Sequence, residues 1–499
     1  LDSREAGIDH GSAREATEAE LEARGMFDAG SGTFLGFKFG RAVFTPKDAP
    51  FGLYEAPPGS GKDIYFVVGN ILHRAMMGYS VFAPDVKLEL APMLLPGLKT
   101  AGIECWGINP TKAHLETCGN VELGLFQAII DAVYSETANG RKDAVGIAKE
   151  IAQLLLPDKQ GGSNSTYFSG GARRAIPIPV LLNALVDPAE CTPGAAFAML
   201  NDPSLFTEVL QTIDKKLEPM VEDDRIVEYL KSDARNLLSR AEKNEENFGS
   251  FLEWATQVLS PYNQAGYLSD YGRAPTNNIK EMCQRPIVAM PMLPFSHVTQ
   301  FESFTSILNA NLLSAAKRNP RQQRIHLCCN EFLNYRFANV GSDLEVMRGL
   351  GITADFFIQS FSGLVRKYGQ EAAASINDYC DVKVYAGLNS LERARYVSDM
   401  LSEGTIARQD YSYRAVPDEV NVSTKRMGRR LMTADEIMAM PRDQAWVFVK
   451  GMRPFKVQLK HYGHVYPWNQ MVGNNPLEGA PLQGKTLLKI DYAREAANV

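Results

Sequence analysis

Glu55-Ala56-Pro57-Pro58-Gly59-Ser60-Gly61-Lys62-Asp63 is the segment from which the rest of the chain can be placed. It closely resembles a Walker A phosphate-binding loop, in which Gly, four residues and Gly-Lys-Ser/Thr follow in order. Gly61-Lys62 is intact, but the first Gly is Ala56 and the Ser/Thr is Asp63. The flanks fit the pattern. Phe51-Gly52-Leu53-Tyr54 reads as a short strand leading in, and Ile64-Tyr65-Phe66-Val67-Val68-Gly69-Asn70-Ile71-Leu72 as an apolar helix leading out. A loop that opens a helix gathers backbone N–H groups and the positive dipole end around an anion. Pro58, Gly59, Ser60, Gly61, Lys62 and Asp63 are therefore the expected phosphate-binding residues, with Lys62 as a point charge toward the terminal phosphates. The competing reading is an ordinary Gly/Pro turn between a strand and a helix.

Asp63 changes the metal argument. In loops of this kind a hydroxyl at that position ligates Mg²⁺, and an Asp on a second strand holds the ion from the other side. The best candidate for that strand is Arg324-Ile325-His326-Leu327-Cys328-Cys329-Asn330-Glu331-Phe332, which ends in Asn-Glu where Asp-Glu is usual. Either Asp63 and Asn330 have exchanged the anionic ligand and still hold Mg²⁺, or both metal positions have decayed; Asn330 alone is a weak ligand. A third reading makes Asn330 an introduced substitution. The balance favours a site that binds nucleotide, with hydrolysis in question.

With 499 residues, the chain is long enough for two or three domains. Hydrophobic content of 45% and charged content of 22% are those of an ordinary globular protein. A net charge of −6 excludes a surface that is basic throughout, so any nucleic-acid contact must be local. Seven Cys without a CxxC pair or Cys/His spacing give no zinc signature and suit a reducing compartment. No apolar run reaches the roughly 18–20 residues of a membrane span, and no signal peptide is visible. The chain starts at Leu1, which reads as a fragment lacking an upstream part.

Residues 1–30 read as a charged helix and Phe34–Phe44 as an alternating strand. From 51 to 110 the pattern is strand, loop, helix, strand, helix, strand, which implies a parallel α/β sheet. The later strands are Tyr79–Asp85 and Gly102–Pro110. From 111 to 270 helical periodicity takes over, at Leu123–Tyr134, Asp143–Leu156, Ala172–Leu185, Leu205–Leu217, Ile226–Ala241 and Phe248–Leu259. The α/β texture resumes with a strand at Arg285–Met290, a helix over 298–316, the strand 324–329, a helix over 340–349, and strands at Asp355–Ser360 and Val382–Gly387. The expected domains are residues 1–110 (N-terminal segment and first part of the nucleotide-binding domain), 111–270 (all-α insertion), 271–470 (second part) and a loosely ordered tail at 471–499. The fold class is thus α/β, a parallel-sheet P-loop domain interrupted by an all-α domain.

Several motifs now stand in one order. After the loop come Asp85-Val86-Lys87-Leu88-Glu89-Leu90, Asn109-Pro110, Tyr167-Phe168-Ser169-Gly170-Gly171-Ala172-Arg173, Asn330-Glu331-Phe332, Arg348-Gly349-Leu350-Gly351-Ile352, Gln359-Ser360, Lys367-Tyr368-Gly369, and Arg429 through Ile437 with Met440-Pro441. In that order and spacing the chain resembles the type IV secretion coupling proteins, the TraG/TraD-type ATPases of conjugation and effector export, over roughly residues 35–465. The resemblance implies a RecA-like P-loop NTPase that takes ATP and Mg²⁺, with Glu331 polarising the attacking water, Gln359 sensing the γ-phosphate and Arg348 reaching a neighbouring subunit's nucleotide. It further implies a homo-hexamer at the cytoplasmic face of the bacterial inner membrane, its membrane anchor outside this chain. The implied partners are the type IV secretion machinery, a relaxase–DNA complex or protein effectors, and single-stranded DNA. The rival reading, favoured by Asp63 and Asn330, is an ATP-binding recruitment scaffold with impaired hydrolysis. A generic DNA translocase is a third, against which the helical insertion speaks.

Two basic runs, Lys317–Arg324 and Lys425–Arg430, are read either as faces toward a strand or membrane or as solvated loops. His461 and His464 lie close together without carboxylate neighbours and make a weak metal signal.

Overall fold

The computed structural model describes residues 11–157, 163–222, 224–335, 340–413 and 420–492. In chain order the strands are β1 (Phe34–Lys38), β2 (Arg41–Phe44), β3 (Phe51–Glu55), β4 (Ser80–Phe82), β5 (Glu104–Ile108), β6 (Ile287–Pro291), β7 (Ile325–Cys329), β8 (Ile352–Ile358), β9 (Val382–Ala386), β10 (Glu403–Tyr413), β11 (Val420–Arg430), β12 (Gln444–Val449), β13 (Phe455–Gln458), β14 (Val465–Tyr466) and β15 (Leu488–Lys489). Two compact units divide the chain: Leu1–His73 with Ala354–Gln470 and Leu482–Val499, and Arg74–Thr353 with Met471–Pro481.

In the first unit the strand order is β2-β1-β13-β12-β9-β3-β8. β3 runs parallel to both neighbours, with Glu55 opposite Ile358 on β8 and Tyr385 on β9. All five β3 residues are buried, as a strand covered on both faces requires. Gly52 has a specific reason: a Cβ there would meet Asp355 Oδ1 at 2.3 Å. Asp355 is itself buried, and its Oδ2 accepts from Thr33 Oγ1 (2.8 Å) and Asn70 Nδ2 (2.5 Å). β12, β13, β1 and β2 continue antiparallel.

Apart from this sheet, β10 and β11 form an antiparallel hairpin from Glu403 opposite Arg430 to Tyr413 opposite Val420. Its base is joined by residues 11–13, where Ala13 N–H donates to Glu403 O (3.2 Å) and Thr405 N–H to Gly11 O (3.1 Å).

The second unit orders its strands β7-β4-β6-β5, all parallel. Asn109 ends β5 by folding the next turn around its side chain, accepting from Ala113 N–H (3.1 Å) and donating to Ala113 O (2.7 Å). Helices then follow at Gln127–Val133, Ala138–Leu155, Ser163–Ala175, Pro177–Val186, Pro193–Leu200, Pro203–Lys216, Arg225–Lys243 and Glu245–Leu259. Their starts are written locally. Thr192, Asp202, Asp224 and Asn244 cap with side-chain oxygens, and Pro177, Pro193 and Pro203 stand where a missing N–H costs nothing. Gly171 lets helix Ser163–Ala175 approach Glu245–Leu259, since a Cβ there would meet the Phe251 ring at 2.2 Å.

Four expectations need correction. Within residues 11–30 the helix is only Glu18–Ala23, opened by a Thr17–Glu20 capping box; residues 1–10 lie outside those described. Phe34–Phe44 is a hairpin because Phe39 (φ 51°) and Gly40 (φ 74°) both adopt positive φ, the geometry of a two-residue hairpin turn. The expected helix Ala172–Leu185 is two helices meeting at Ile176-Pro177. The tail is tied down through residue 492. β15 pairs with β14, and Tyr492 Oη bonds both Trp468 Nε1 and buried His73 Nδ1 at 2.9 Å.

Candidate functional site

The loop after β3 takes its shape from two glycines. Gly59 and Gly61 both have φ near 77°, a region costly to other residues. Ser60 N–H donates to Pro57 O (3.1 Å) and Tyr65 N–H to Gly61 O (3.0 Å). The helix that follows opens with a π turn, Asp63–Val67, in which Val68 N–H reaches five residues back to Asp63 O. It continues as the α-helix Val68–Met76.

Lys62 is buried, and its ammonium stands 3.3 Å from Asp63 Oδ1. Ser60 Oγ is buried without a hydrogen-bond partner among the described residues. Gly387, just after β9, presses against the same loop: with φ 60°, a Cβ there would lie 3.1 Å from Ser60 Cβ. A constrained loop with a buried ammonium and an orphaned hydroxyl fits an anionic phosphate group. Gln359 follows β8 in the same unit. The β3–β8 ladder continues with Ala56 N–H donating to Ile358 O (3.0 Å), so Gln359 is placed one residue beyond, exposed, at the start of the loop.

The second unit carries Asn330, Glu331, Arg348 and the Asp85–Glu89 motif. Asn330 and Glu331 are buried, and Glu331 sits in the left-handed region (φ 52°), unusual for a residue with a side chain. Asn330 Oδ1 accepts from Glu331 N–H (3.0 Å), and Tyr335 Oη donates to Asn330 O (3.2 Å). Lys87 Nζ lies 3.5 Å from Glu331 Oε1 and 3.5 Å from Glu89 Oε1. Asp85 fixes that arrangement. Its carboxylate accepts from Ala91 N–H (2.8 Å) and from Lys87 and Glu89 N–H (both 3.3 Å), holding the start of helix Leu90–Thr100. Burial pushes the Asp85 carboxyl up to about 6; those donors oppose the rise and the neighbouring Glu89 adds to it. Arg348 is exposed on the last turn of helix Val340–Leu350.

As a metal pair, Asp63 and Asn330 are bound up differently: Asp63 with Lys62, Asn330 with its own backbone neighbour. Among the described residues no group of three or more His, Cys, Asp or Glu gathers as for an ion. His461 and His464 stack with centroids 4.0 Å apart, but each Nδ1 is engaged locally, with Gly463 N–H (3.1 Å) and Lys485 O (2.8 Å). Two arginines of the first basic run bond internal backbone carbonyls. Arg321 donates to Gly349 O (3.0 Å), and Arg324 donates to Met77 O (2.8 Å) while lying over the Tyr79 ring. The second run lies on β11, where Arg429 pairs with Glu436 (2.7 Å).

Sequence reasoning passed over Glu55 and Arg393, a buried ion pair beside the loop. The available signal was a carboxylate closing an otherwise apolar strand.

Residues 324–442 match the family model described as the TraM recognition site of TraD and TraG. No curated protein sequence matches the chain. Among solved structures, the unbound monoclinic form of the bacterial conjugative coupling protein TrwBdeltaN70 aligns with a TM-score of 0.64 and 14% identity, covering 92% of this chain and 97% of that one. Plasmid coupling protein TrwB in complex with ADP and Mg²⁺ aligns with a TM-score of 0.63 and 15% identity, covering 90% and 93%. The complex of TrwB with the ATP analogue ADPNP gives 0.63 and 15% over the same shares. The chain thus has the mixed α/β, RecA-like P-loop fold of TrwB, and resembles conjugative coupling proteins in both fold and this segment. Among the described residues no helix is long and apolar enough to cross a membrane.

Proposed function

We propose that this chain is the cytosolic part of a type IV secretion coupling protein that binds Mg-ATP at residues 58–63 and delivers substrate to a secretion channel. The observation that carries this reading is the loop itself: Gly59 and Gly61 at positive φ, with the Lys62 ammonium buried at its end. Bound ATP would supply the phosphoanhydride bond to be broken. Lys62 and the loop amides would hold its phosphates, and Asp63 and Asn330 are the residues that would hold Mg²⁺. Glu331 orients the water and accepts its proton; Gln359 senses the γ-phosphate. Arg348 acts on a neighbouring subunit's nucleotide in a homo-hexamer. The substrate is a relaxase–DNA complex or protein effectors, with single-stranded DNA as a contact, at the cytoplasmic face of the bacterial inner membrane.

A second reading rests on the Lys62–Asp63 contact, because a carboxylate on the loop lysine competes with phosphate for the same charge. Under it the chain is an ATP-binding recruitment scaffold that turns over slowly.

Turnover of Mg-ATP by the purified chain, with and without single-stranded DNA, separates the two. Mixing then tests the ring. Lys62→Ala subunits and Arg348→Ala subunits, each inactive alone, should together regain turnover, since an arginine supplied in trans is worth roughly 10³-fold or more. No rescue at any ratio, with both variants shown by light scattering to share one ring, would remove Arg348 from the site.

A further inference from the structure

Glu55 ends β3 and immediately precedes Ala56 of the loop. Its side chain is 2% exposed, and a carboxylate that deep is tolerated only with a partner. That partner is Arg393, 15% exposed on helix Leu391–Leu401. Its Nε donates to both Glu55 oxygens at 2.9 and 3.0 Å, and its Nη2 to Oε2 at 2.5 Å. The guanidinium also lies 4.4 Å from the Tyr396 ring centroid and 4.8 Å from that of Phe361. Glu55 Oε1 accepts one more donor, the N–H of Phe361 (3.3 Å), which opens the helix just after Gln359 and Ser360. One carboxylate therefore joins the strand feeding the loop, the backbone beyond Gln359, and helix Leu391–Leu401.

The far end of that helix is fastened to the β10–β11 hairpin. Arg430, the last residue of β11, donates to Ser398 Oγ (3.1 Å) and pairs with Asp399. Leu431 N–H donates to Ser402 O (3.0 Å). Ala394, Val397 and Leu401 pack with Tyr385, Ile437 and Trp446 into one apolar cluster. A packed helix of this length is a stiff strut of about 16 Å, with the loop's ion pair at one end and the hairpin base at the other.

We infer that Glu55 and Arg393 are positioning residues that make occupancy of the 58–63 loop felt at the base of the β10–β11 hairpin. The inference rests on the reading that the loop takes nucleotide. Drawing Lys62 and the loop toward phosphate loads the end of β3, and Glu55 cannot move without taking Arg393 and its helix along. Stability alone does not separate this role from a merely structural ion pair, because a buried pair replaced on both sides by apolar residues commonly leaves a protein as stable as before; the hairpin response does.

The test compares the whole chain with Glu55→Met/Arg393→Met and with Arg393→Lys. Calorimetry measures ADPNP binding and urea midpoints measure stability. Amide exchange reads the hairpin base at residues 403–405 and 426–431, with saturating ADPNP and without. In the parent chain nucleotide should slow exchange there by roughly fivefold or more. The double variant should keep the parent's midpoint and still bind ADPNP, yet lose the hairpin response. Arg393→Lys, which keeps the charge but not the fork or the ring contacts, should lose at least part of it, and decides the matter if the double variant does not fold. An undiminished response in every variant that folds, or a parent that binds ADPNP with no change at the hairpin, overturns the inference. A parent that binds no ADPNP in calorimetry overturns the nucleotide reading, and this inference with it.

Discussion

Two lysine–carboxylate pairs, one in each compact unit, are built in opposite senses. In the loop the cation is the buried member: the Lys62 side chain is 8% exposed and Asp63 23%. In the Asp85–Glu89 motif the carboxylate is buried, with Glu331 7% exposed and Lys87 37%. Lys62 and Asp63 are adjacent in sequence, so their contact needs only local helical geometry. Lys87 and Glu331 meet only because β4 and β7 lie side by side. A buried ammonium beside a partly exposed carboxylate is a cation placed to attract anions. In the second pair the buried member is the carboxylate, and the lysine lies at its rim. The first arrangement suits binding and the second suits proton transfer, although both consist of one lysine and one acid.

The sharpest way to break this contrast is Glu331→Gln. Turnover should fall by about 10²–10⁴-fold while nucleotide affinity stays near that of the parent; single-turnover kinetics with calorimetry would check both. Equal losses in affinity would return Glu331 to the binding side.

Asp85 offers a control, a buried carboxylate served by amides. With its carboxyl raised from 3.8 to about 6, the folded state binds the proton more tightly than the unfolded chain. Stability therefore declines as pH rises between those values, by up to about 3 kcal/mol. Urea midpoints of the parent and Asp85→Asn at pH 4.5 and 7.5 should show the variant gaining ground at the higher pH.

Removing the buried cation, Lys62→Ala, should weaken ATP binding by about 2–3 kcal/mol or more, roughly 30- to 150-fold in Kd. Unchanged calorimetric affinity would end the phosphate-loop reading. Removing the rim cation, Lys87→Met, should leave affinity intact and lower the unfolding free energy from urea melts by about 1.5 kcal/mol, since Glu331 loses a charged partner.

The smallest effect concerns Asp63. Asp63→Thr should weaken the Mg²⁺ dependence of turnover, and adding Asn330→Asp should recover it with a coupling of about 1 kcal/mol. If Asn330→Asp alone turns over fastest, the two positions have not exchanged ligands.

The fold was legible where the chain obeys a short period or a local rule. The loop between β3 and its helix, the alternation through β5 and most helices between 127 and 259 follow from apolar spacing, caps and proline. The long hairpin was not foreseen: its run of Arg, Lys, Asp and Ser offers no sustained apolar alternation in the sequence, and its two strands pair with each other. β12 and β13 were missed because they owe their place to antiparallel pairing with β9 and β1, far away in sequence. Lys62, Glu331 and Gln359 came from motif order. Glu55–Arg393 could not, since a sequence separation of 338 leaves no period to detect.

The π turn at Asp63–Val67 bears on how this chain is aligned with others. An i→i−5 turn accommodates one residue more than an α turn, so the loop and the buried face of the following helix are out of step by one position. Against a phosphate loop that runs directly into a regular α-helix, an ungapped alignment can match Gly61-Lys62 or the buried Val68, Ile71 and Leu72, but not both. A single gap between 63 and 67 restores both matches, and profiles that forbid it will undercount relatives of this kind.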